Sequence, residues 1–259
     1  MALSRWFDDP AAPRRARASG AAEIGWCLTE PEAGVVFYPP ERVRSPEMNR
    51  SHAKSASRCP AVINLEARYF AIKSPFDLHL RFARGENGRP GLRNMLGQNS
   101  PVRSKKLDKH IHVVGESEWR HPERPTIQIS LPYLFISDDP VWMAQVDAFL
   151  HYRADPLPGT IFGGRFPVNL WPRSMNWGFE WHDTSKDLIL KRGEPWFYLQ
   201  FETDPPERPV RMIEAERTPE LRAYESHVSG SVNYVNQTFQ LFREAEKARP
   251  AKLLTPVKR

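Results

Sequence analysis

Two histidines separated by one residue form the clearest chemical pattern in this sequence. They lie in the segment HIHVVGE, residues 110–116. If the segment is extended, successive side chains alternate between two faces, so His110 and His112 project from the same face. Two such imidazoles can bind one metal ion, and Glu116 can complete a facial set with His182 or His151 as a further ligand. The pattern therefore predicts a divalent metal site, with Fe(II) favoured. Two solvated histidines on a polar strand are the alternative.

The histidine pattern is similar to the first motif of the cupins, in which His-x-His is followed by Glu after three residues. The resemblance implies a jelly-roll fold and a metal-dependent enzyme, such as a non-haem iron oxygenase. The sequence departs from the family in two respects. Ser104 and Glu123 stand where glycines flank the motif, and a second motif of the expected form is absent.

Glu180 is the second candidate for chemistry. It lies in GFEWHD (residues 178–183), which is followed by LILKRG (188–193) and YLQF (198–201). This arrangement resembles the paired strands of the dCTP deaminase and dUTPase superfamily. The resemblance implies a β-clip fold, a pyrimidine nucleotide substrate and a catalytic role for Glu180 in activating water. The Ser- and Arg-rich phosphate motif of that family is missing from residues 145–165. A glutamate on the polar face of an exposed strand is the alternative.

A basic segment offers a third kind of chemistry, which is contact with phosphates. Such contacts give nucleic-acid binding that is insensitive to sequence and sensitive to salt. The segment contains no aromatic residue between residues 84 and 109 on which a base could stack. Solvated loop charge is the alternative. The basic residues are Arg81, Arg84, Arg89, Arg93, Arg103, Lys105, Lys106 and Lys109.

Three further pieces together resemble a family of bacterial and phage proteins known as a domain of unknown function. They are CPA (residues 59–61), YLFISDDP (133–140) and RGEPWFYLQF (192–201). The likeness covers roughly residues 59 to 235. The family has no established activity, so the resemblance implies no functional residue.

The elements that must position these groups centre on residues 171–203. Residues 175–181 (MNWGFEW) alternate large apolar residues with small or polar ones, as in a strand with one buried face. A short strand at 188–190 and an aromatic-rich strand at 196–202 follow after turns. We expect this block to form the core, because it contains four of the eight tryptophans, Trp171, Trp177, Trp181 and Trp196.

The rest of the chain predicts more strands and a helical end. Strands are expected at 61–65, 67–72 and 77–82, and a structureless basic loop at about 84–107. Residues 139–151 fit a helix or an irregular cover. Thr218 and Pro219 are a suitable N-cap and first turn for a helical segment to residue 247. Gly230 is a candidate break within it.

The composition favours a mainly β fold, of the jelly-roll or β-sandwich type, with the helical segment packed outside. Twenty-five prolines argue against a helical bundle. We expect a disordered basic tail (1–21), a β-rich domain (22–217), the helical segment (218–247) and a frayed end (248–259). Two cysteines cannot form a disulfide framework, so Cys59 is predicted to be a small buried residue in a cytoplasmic protein.

The sequence favours a binding role over catalysis. The net charge of +6 permits an anionic partner without requiring one, and no apolar run is long enough to span a membrane. The leading interpretation is a soluble β-domain that binds a small molecule or a protein partner. The alternatives are a cupin-like metal enzyme and a nucleotide enzyme of the deaminase type.

Overall fold

The computed structural model of the protein describes residues 20–30, 35–44, 55, 58–101, 109–233, 235 and 237–258. Most of the predicted N-terminal tail therefore lies outside the described residues, as do Arg103, Lys105 and Lys106 of the basic segment. Within the described residues, no helix is long and apolar enough to cross a bilayer.

The described residues form a mainly β, sandwich-like fold, which confirms the expected fold class. The helices are α1 (Pro60–Glu66), α2 (Pro219–Ser231) and α3 (Thr238–Ala248). The strands are β1 (Ala22–Leu28), β2 (Glu41–Arg42), β3 (Tyr69–Lys73), β4 (Leu78–Arg84), β5 (Pro90–Asn94), β6 (Ile111–Val113), β7 (Thr126–Leu131), β8 (Tyr133–Ile136), β9 (Val141–Asp147), β10 (Gly159–Ile161), β11 (Arg165–Pro167), β12 (Met175–Trp181), β13 (Leu188–Leu190), β14 (Pro195–Thr203) and β15 (Val210–Glu214).

The strands pair into several sheets that share one core. One sheet has the order β11-β9-β14-β3-β2, and another has the order β10-β12-β7-β6. Two three-stranded sheets, β15-β1-β8 and β13-β4-β5, complete the described strands. Most pairings are antiparallel, whereas β1 and β15 run parallel. The longer strands are buried over much of their length, as in β14, where residues 196–199 are all buried.

The core contains the aromatic block that the sequence predicts. Trp177, Phe179 and Trp181 of β12 lie on one face of the strand and are fully buried. Trp177 stacks on Phe179 at 5.0 Å between ring centroids and contacts Trp196 of β14 at 5.1 Å. Burial of several large rings on one face contributes most of the hydrophobic stabilisation available to a sheet of this kind.

The C-terminal helices pack on the outside of the sheets. The Thr218 side chain accepts a hydrogen bond from the Leu221 N–H at 3.2 Å, so the predicted N-cap is confirmed. The segment divides into two helices next to Gly230, as expected, because α2 ends at Ser231 and α3 begins at Thr238. The Tyr224 hydroxyl of α2 lies 3.0 Å from the Leu170 carbonyl oxygen and 2.8 Å from the Ala245 carbonyl oxygen, and it can donate its proton to either. Tyr224 thus links α2 to α3 and to the segment after β11.

Four local expectations are wrong. Residues 61–65 form helix α1 rather than a strand, because Pro60 favours a first helical turn and the Cys59 and Ile63 carbonyls accept i+4 bonds at 3.0 Å. Cys59 is exposed rather than buried. Residues 139–151 contain strand β9, and the segment 84–107 contains strand β5, which pairs with β4. Pairing with the distant strands β11 and β14 forms β9, whereas β5 is the second strand of a local hairpin with β4.

The segment after α3 is packed rather than frayed. Leu253 and Leu254 are 2% and 4% exposed and belong to the cluster beneath α2. The Val257 N–H donates to the Glu214 carbonyl at 3.0 Å, so the chain end lies against β15. The expectation of a frayed tail fails because the two leucines have apolar neighbours that only the folded chain supplies.

Candidate functional site

The structure separates the residues that were predicted to bind a metal. The Glu116 carboxylate lies 2.6 Å from the Arg84 guanidinium, and Nε2 of His112 lies 3.1 Å from Oε1 of Gln128. His112 of β6 pairs with Gln128 of β7, which in turn pairs with Gly178 of β12. His182 lies four residues beyond Gly178, just after the end of β12. His182 is therefore two strands and four residues away from His112.

The remaining candidate ligands have other neighbours. Nε2 of His151 lies 3.6 Å from Oε2 of Glu194. His110 precedes β6 and is partly exposed. Within the described residues, which include all the predicted ligands, no group of three or more His, Cys, Asp or Glu could hold a metal ion. The side chains present do not fit the Fe(II) site that the sequence predicted.

Glu180 lies on the outer face of β12, and it is buried there with only 5% of its surface exposed. The segment that precedes β7 covers it. Nε of Arg120 lies 3.6 Å from Oε2, and a terminal nitrogen of Arg124 lies 3.6 Å from Oε1. The Arg120 guanidinium also lies 5.3 Å from the centroid of the Phe162 ring. The alternative interpretation of Glu180, as a glutamate on an exposed strand face, is therefore wrong.

One oxygen of this carboxylate is left without a hydrogen bond. Nε2 of His182 lies 3.1 Å from Oε1 of Glu180 and 3.3 Å from the Thr160 hydroxyl. Oε2 is buried and has no hydrogen-bond partner among the described residues. Arg120 and Arg124 lie within ion-pair distance of the carboxylate and compensate its buried negative charge. The geometry makes Glu180 a group that orients the His182 imidazole, as second-layer carboxylates do in many sites.

His182 lies in the wall of a cavity of about 710 Å³, which we call the His182 cavity. Its wall also contains Arg81, Lys186 and Asp187. The Arg81 guanidinium donates to both oxygens of Asp187 at 2.8 and 2.9 Å, and His79 lies 2.7 Å from the same carboxylate. These contacts, with the hydrogen bond from Arg81 as the largest cause, lower the pKa of Asp187 to about 2.

A second cavity of about 750 Å³ lies on the other side of residues 156–159, and we call it the Trp196 cavity. Pro156, Leu157 and Gly159 belong to the walls of both cavities. The apolar part of the wall consists of Ala148, Phe149, Leu150, Tyr152, Pro156 and Leu157. Its polar part consists of Asp147, His151, Arg153 and the indole of Trp196.

Two buried polar atoms of the Trp196 cavity have no hydrogen-bond partner among the described residues. They are Nε1 of Trp196 and Nε2 of His151. Trp196 itself is 2% exposed, so water does not satisfy its indole N–H. The indole N–H therefore does not face the open cavity, and the accessible polar side chains of the wall are those of Asp147 and Arg153.

Arg153 forms the base of the polar wall. Its guanidinium donates to the carbonyl oxygens of Pro195 and Trp196, the latter at 3.3 Å. Burial lowers the pKa of Arg153, while the charge of Glu194 acts in the opposite direction. The side chain thus holds the backbone on either side of Trp196 in place beside the cavity.

Sequence reasoning missed the Trp196 cavity, because it assigned residues 139–151 to a cover and Trp196 to the core. Trp196 is indeed in the core, and it also belongs to the residues that line the cavity. A usable signal was present in the run Phe149, Leu150 and Tyr152. Three large apolar or aromatic residues lie next to polar residues just after a strand, and all three are exposed.

The basic segment presents less free charge than its composition suggests. Arg81 is paired with Asp187 and Arg84 with Glu116. Arg93 lies opposite Arg81 on the β4–β5 hairpin and makes no ion pair with the described residues. Two of the four described arginines of this segment are therefore neutralised, which weakens the prediction of a phosphate-binding surface.

Comparison of the chain with protein-family models, with curated proteins and with solved structures finds no match. The resemblances to the cupins, to the dCTP deaminase and dUTPase superfamily and to the bacterial and phage family therefore remain expectations of the sequence.

Proposed function

We propose that this protein is a ligand-binding β-domain that holds a small molecule in the Trp196 cavity. One observation supports this most strongly, namely a cavity wall that brings the exposed rings of Phe149 and Tyr152 together with the side chains of Asp147 and Arg153. A ligand with apolar and hydrogen-bonding parts can contact both kinds of group at once.

The size and lining of the cavity agree with this proposal. Its volume of about 750 Å³ is within the range of ligand pockets, which are usually about 300–1,000 Å³. The wall combines apolar and aromatic side chains with a few polar groups, and such a combination provides affinity and orientation, respectively. The floor is rigid, because Trp196 contacts Trp177 and Phe197 at 5.1 and 5.8 Å between ring centroids.

Proton transfer at the His182 cavity is the second candidate function. The Glu180–His182 contact of 3.1 Å favours it, because a carboxylate that fixes the imidazole tautomer is a common element of general acid–base sites. In this arrangement the imidazole, rather than Glu180, meets the substrate. A nucleotide enzyme that uses Glu180 to activate water directly is less favoured, since the cavity wall includes His182 and, among the described residues, not Glu180.

Ligand-observed NMR against a chemically diverse fragment library tests the ligand-binding proposal. We expect hits whose binding weakens in Tyr152→Ala, which removes an exposed ring of the wall. Phe239→Ala is the matched control, because Phe239 is an exposed aromatic residue on α3 outside the cavity wall. Hits that bind both variants and the unaltered protein equally would remove the Trp196 cavity as the site.

The two candidate functions are separated by His182→Asn. This change removes the imidazole from the His182 cavity and leaves the polar residues of the Trp196 cavity unaltered. Under the ligand-binding proposal, the fragment hits keep their affinity in this variant. Loss of a measured turnover in His182→Asn, with fragment binding unchanged, would instead establish the second function.

A further inference from the structure

We infer that the ligand of the Trp196 cavity is a neutral, polyhydroxylated molecule, namely a mono- or disaccharide. This inference rests on the ligand-binding function proposed above and specifies its ligand class. It follows from the charge balance of the wall, from the kinds of hydrogen-bonding groups in it, and from the aromatic rings at its mouth.

The charges in the wall compensate one another. Asp147 and Arg153 contribute one negative and one positive charge, and the neighbouring His151 lies 3.6 Å from the Glu194 carboxylate. A charged ligand would enter this partly buried site without a free counter-charge, so its desolvation would not be recovered. The wall therefore favours a ligand without net charge over a nucleotide or an organic acid.

The polar groups of the wall require both donors and acceptors from a ligand. The Arg153 guanidinium can only donate hydrogen bonds, whereas the Asp147 carboxylate can accept them. A hydroxyl group can do both. Several hydroxyls on one rigid ring meet these opposite requirements at once, whereas a hydrocarbon or a simple aromatic ring would leave them unmet.

The aromatic rings at the mouth suit the face of a pyranose ring. Phe149 is 52% exposed, and its ring is held by edge contacts with Tyr69 and Tyr198 at 5.6 and 5.5 Å between centroids. Tyr152 is 87% exposed beside it. The negative face of an aromatic ring attracts the weakly positive C–H groups on one side of a sugar. Two exposed aromatic residues at a cavity with a polar floor thus fit an amphipathic sugar.

Heteronuclear NMR of the indole N–H groups tests the inference on the intact chain. The Trp196 signal is assigned by its loss in Trp196→Phe, and the protein is then titrated with glucose, galactose, mannose, N-acetylglucosamine, maltose and cellobiose. Adenosine, uridine, AMP and benzoate are the comparison probes. We expect at least one saccharide to shift the Trp196 indole signal saturably. The dissociation constant should rise about tenfold in Tyr152→Ala and remain unchanged in Phe239→Ala.

The outcomes distinguish the ligand class from the function itself. A saturable shift of the Trp196 signal by a nucleoside or by benzoate, with none by the saccharides, overturns the sugar inference and leaves the binding function intact. No shift by any of these probes, together with no fragment hit in the cavity, overturns both. Because Tyr152 is almost fully exposed, Tyr152→Ala tests binding without disturbing the fold.

Discussion

Nε2 of His182 lies 3.1 Å from Oε1 of Glu180, which precedes it by two residues on the same face at the end of β12. The carboxylate is buried, whereas the imidazole is partly exposed in a cavity wall. This relationship assigns different roles to two residues that the sequence treated as separate candidates. Glu180 positions the His182 imidazole, and that imidazole is the group that a ligand of the His182 cavity would contact.

Replacing Glu180 by Gln should lower the free energy of unfolding by about 1–2 kcal/mol. The amide cannot neutralise Arg120 and Arg124, and it introduces a donor where Oε2 has no partner. Both arginines are substantially exposed, which keeps the loss small. Urea unfolding at neutral pH measures the change.

Glu123→Gln is the matched control for that variant. Glu123 is exposed and lies in the same covering segment, between Arg120 and Arg124. We expect its free energy of unfolding to change by less than about 0.5 kcal/mol. Equal losses in the two variants would contradict a special role for the buried carboxylate.

Gly159→Ala should destabilise the protein by about 1–3 kcal/mol, as overpacking usually does. A Cβ at this position would collide with the Glu180 carbonyl oxygen, because β10 approaches β12 closely there. Gly164→Ala is the control, since a Cβ at that position meets no atom within 4 Å. Thermal unfolding of both variants checks the expectation. A melting temperature for Gly159→Ala close to that of the control would show that the backbone accommodates the methyl group.

Asp187 should contribute stability above its unfolded-state pKa of 3.8 and lose that contribution as the pH falls toward about 2. The sign follows from the direction of the shift, since Arg81 lowers the pKa of the folded state. Asp187→Asn should therefore be less stable than the unaltered protein at pH 7, by less than about 1 kcal/mol because Arg81 is half exposed. The difference should disappear near pH 2. A difference that persists unchanged to pH 2 in urea unfolding would contradict this assignment.

The two cysteines should differ strongly in reactivity. Burial, followed by the charge of Glu225, raises the pKa of Cys27 to about 11, whereas Cys59 is exposed at the start of α1. With Ellman's reagent at pH 8, we expect one fast thiol per chain and a second only after unfolding. The fast phase should vanish in Cys59→Ser. Two fast thiols in the native protein would show that Cys27 is accessible.

Several features follow from local sequence alone. The alternation of Trp177, Phe179 and Trp181 predicted a strand with one buried face, and Thr218 with Pro219 predicted the start of a helix. These patterns are local because the periodicity of a strand and the chemistry of a helix cap depend on neighbouring residues. The aromatic content then required that the strands enclose a core.

The candidate sites could not be predicted in the same way. The same alternation that placed Trp181 in the core placed Glu180 on the other face, where an exposed position was the alternative to a catalytic role. A segment more than fifty residues earlier in the chain, with Arg120 and Arg124, buries that face. Likewise, β14 carries Trp196 to the end of β9, where the residues that follow Asp147 form the cavity wall.

What the sequence by itself determined is therefore the mainly β class, the buried aromatic face and the helical end. Only the tertiary structure decided that Glu180 is buried beside His182, that the predicted metal ligands lie apart, and that Trp196 borders a cavity. The physical reason is that burial and cavity formation depend on which distant strands pair and which segments cover them. Periodicity determines the face on which a side chain lies, and long-range packing determines what that face meets.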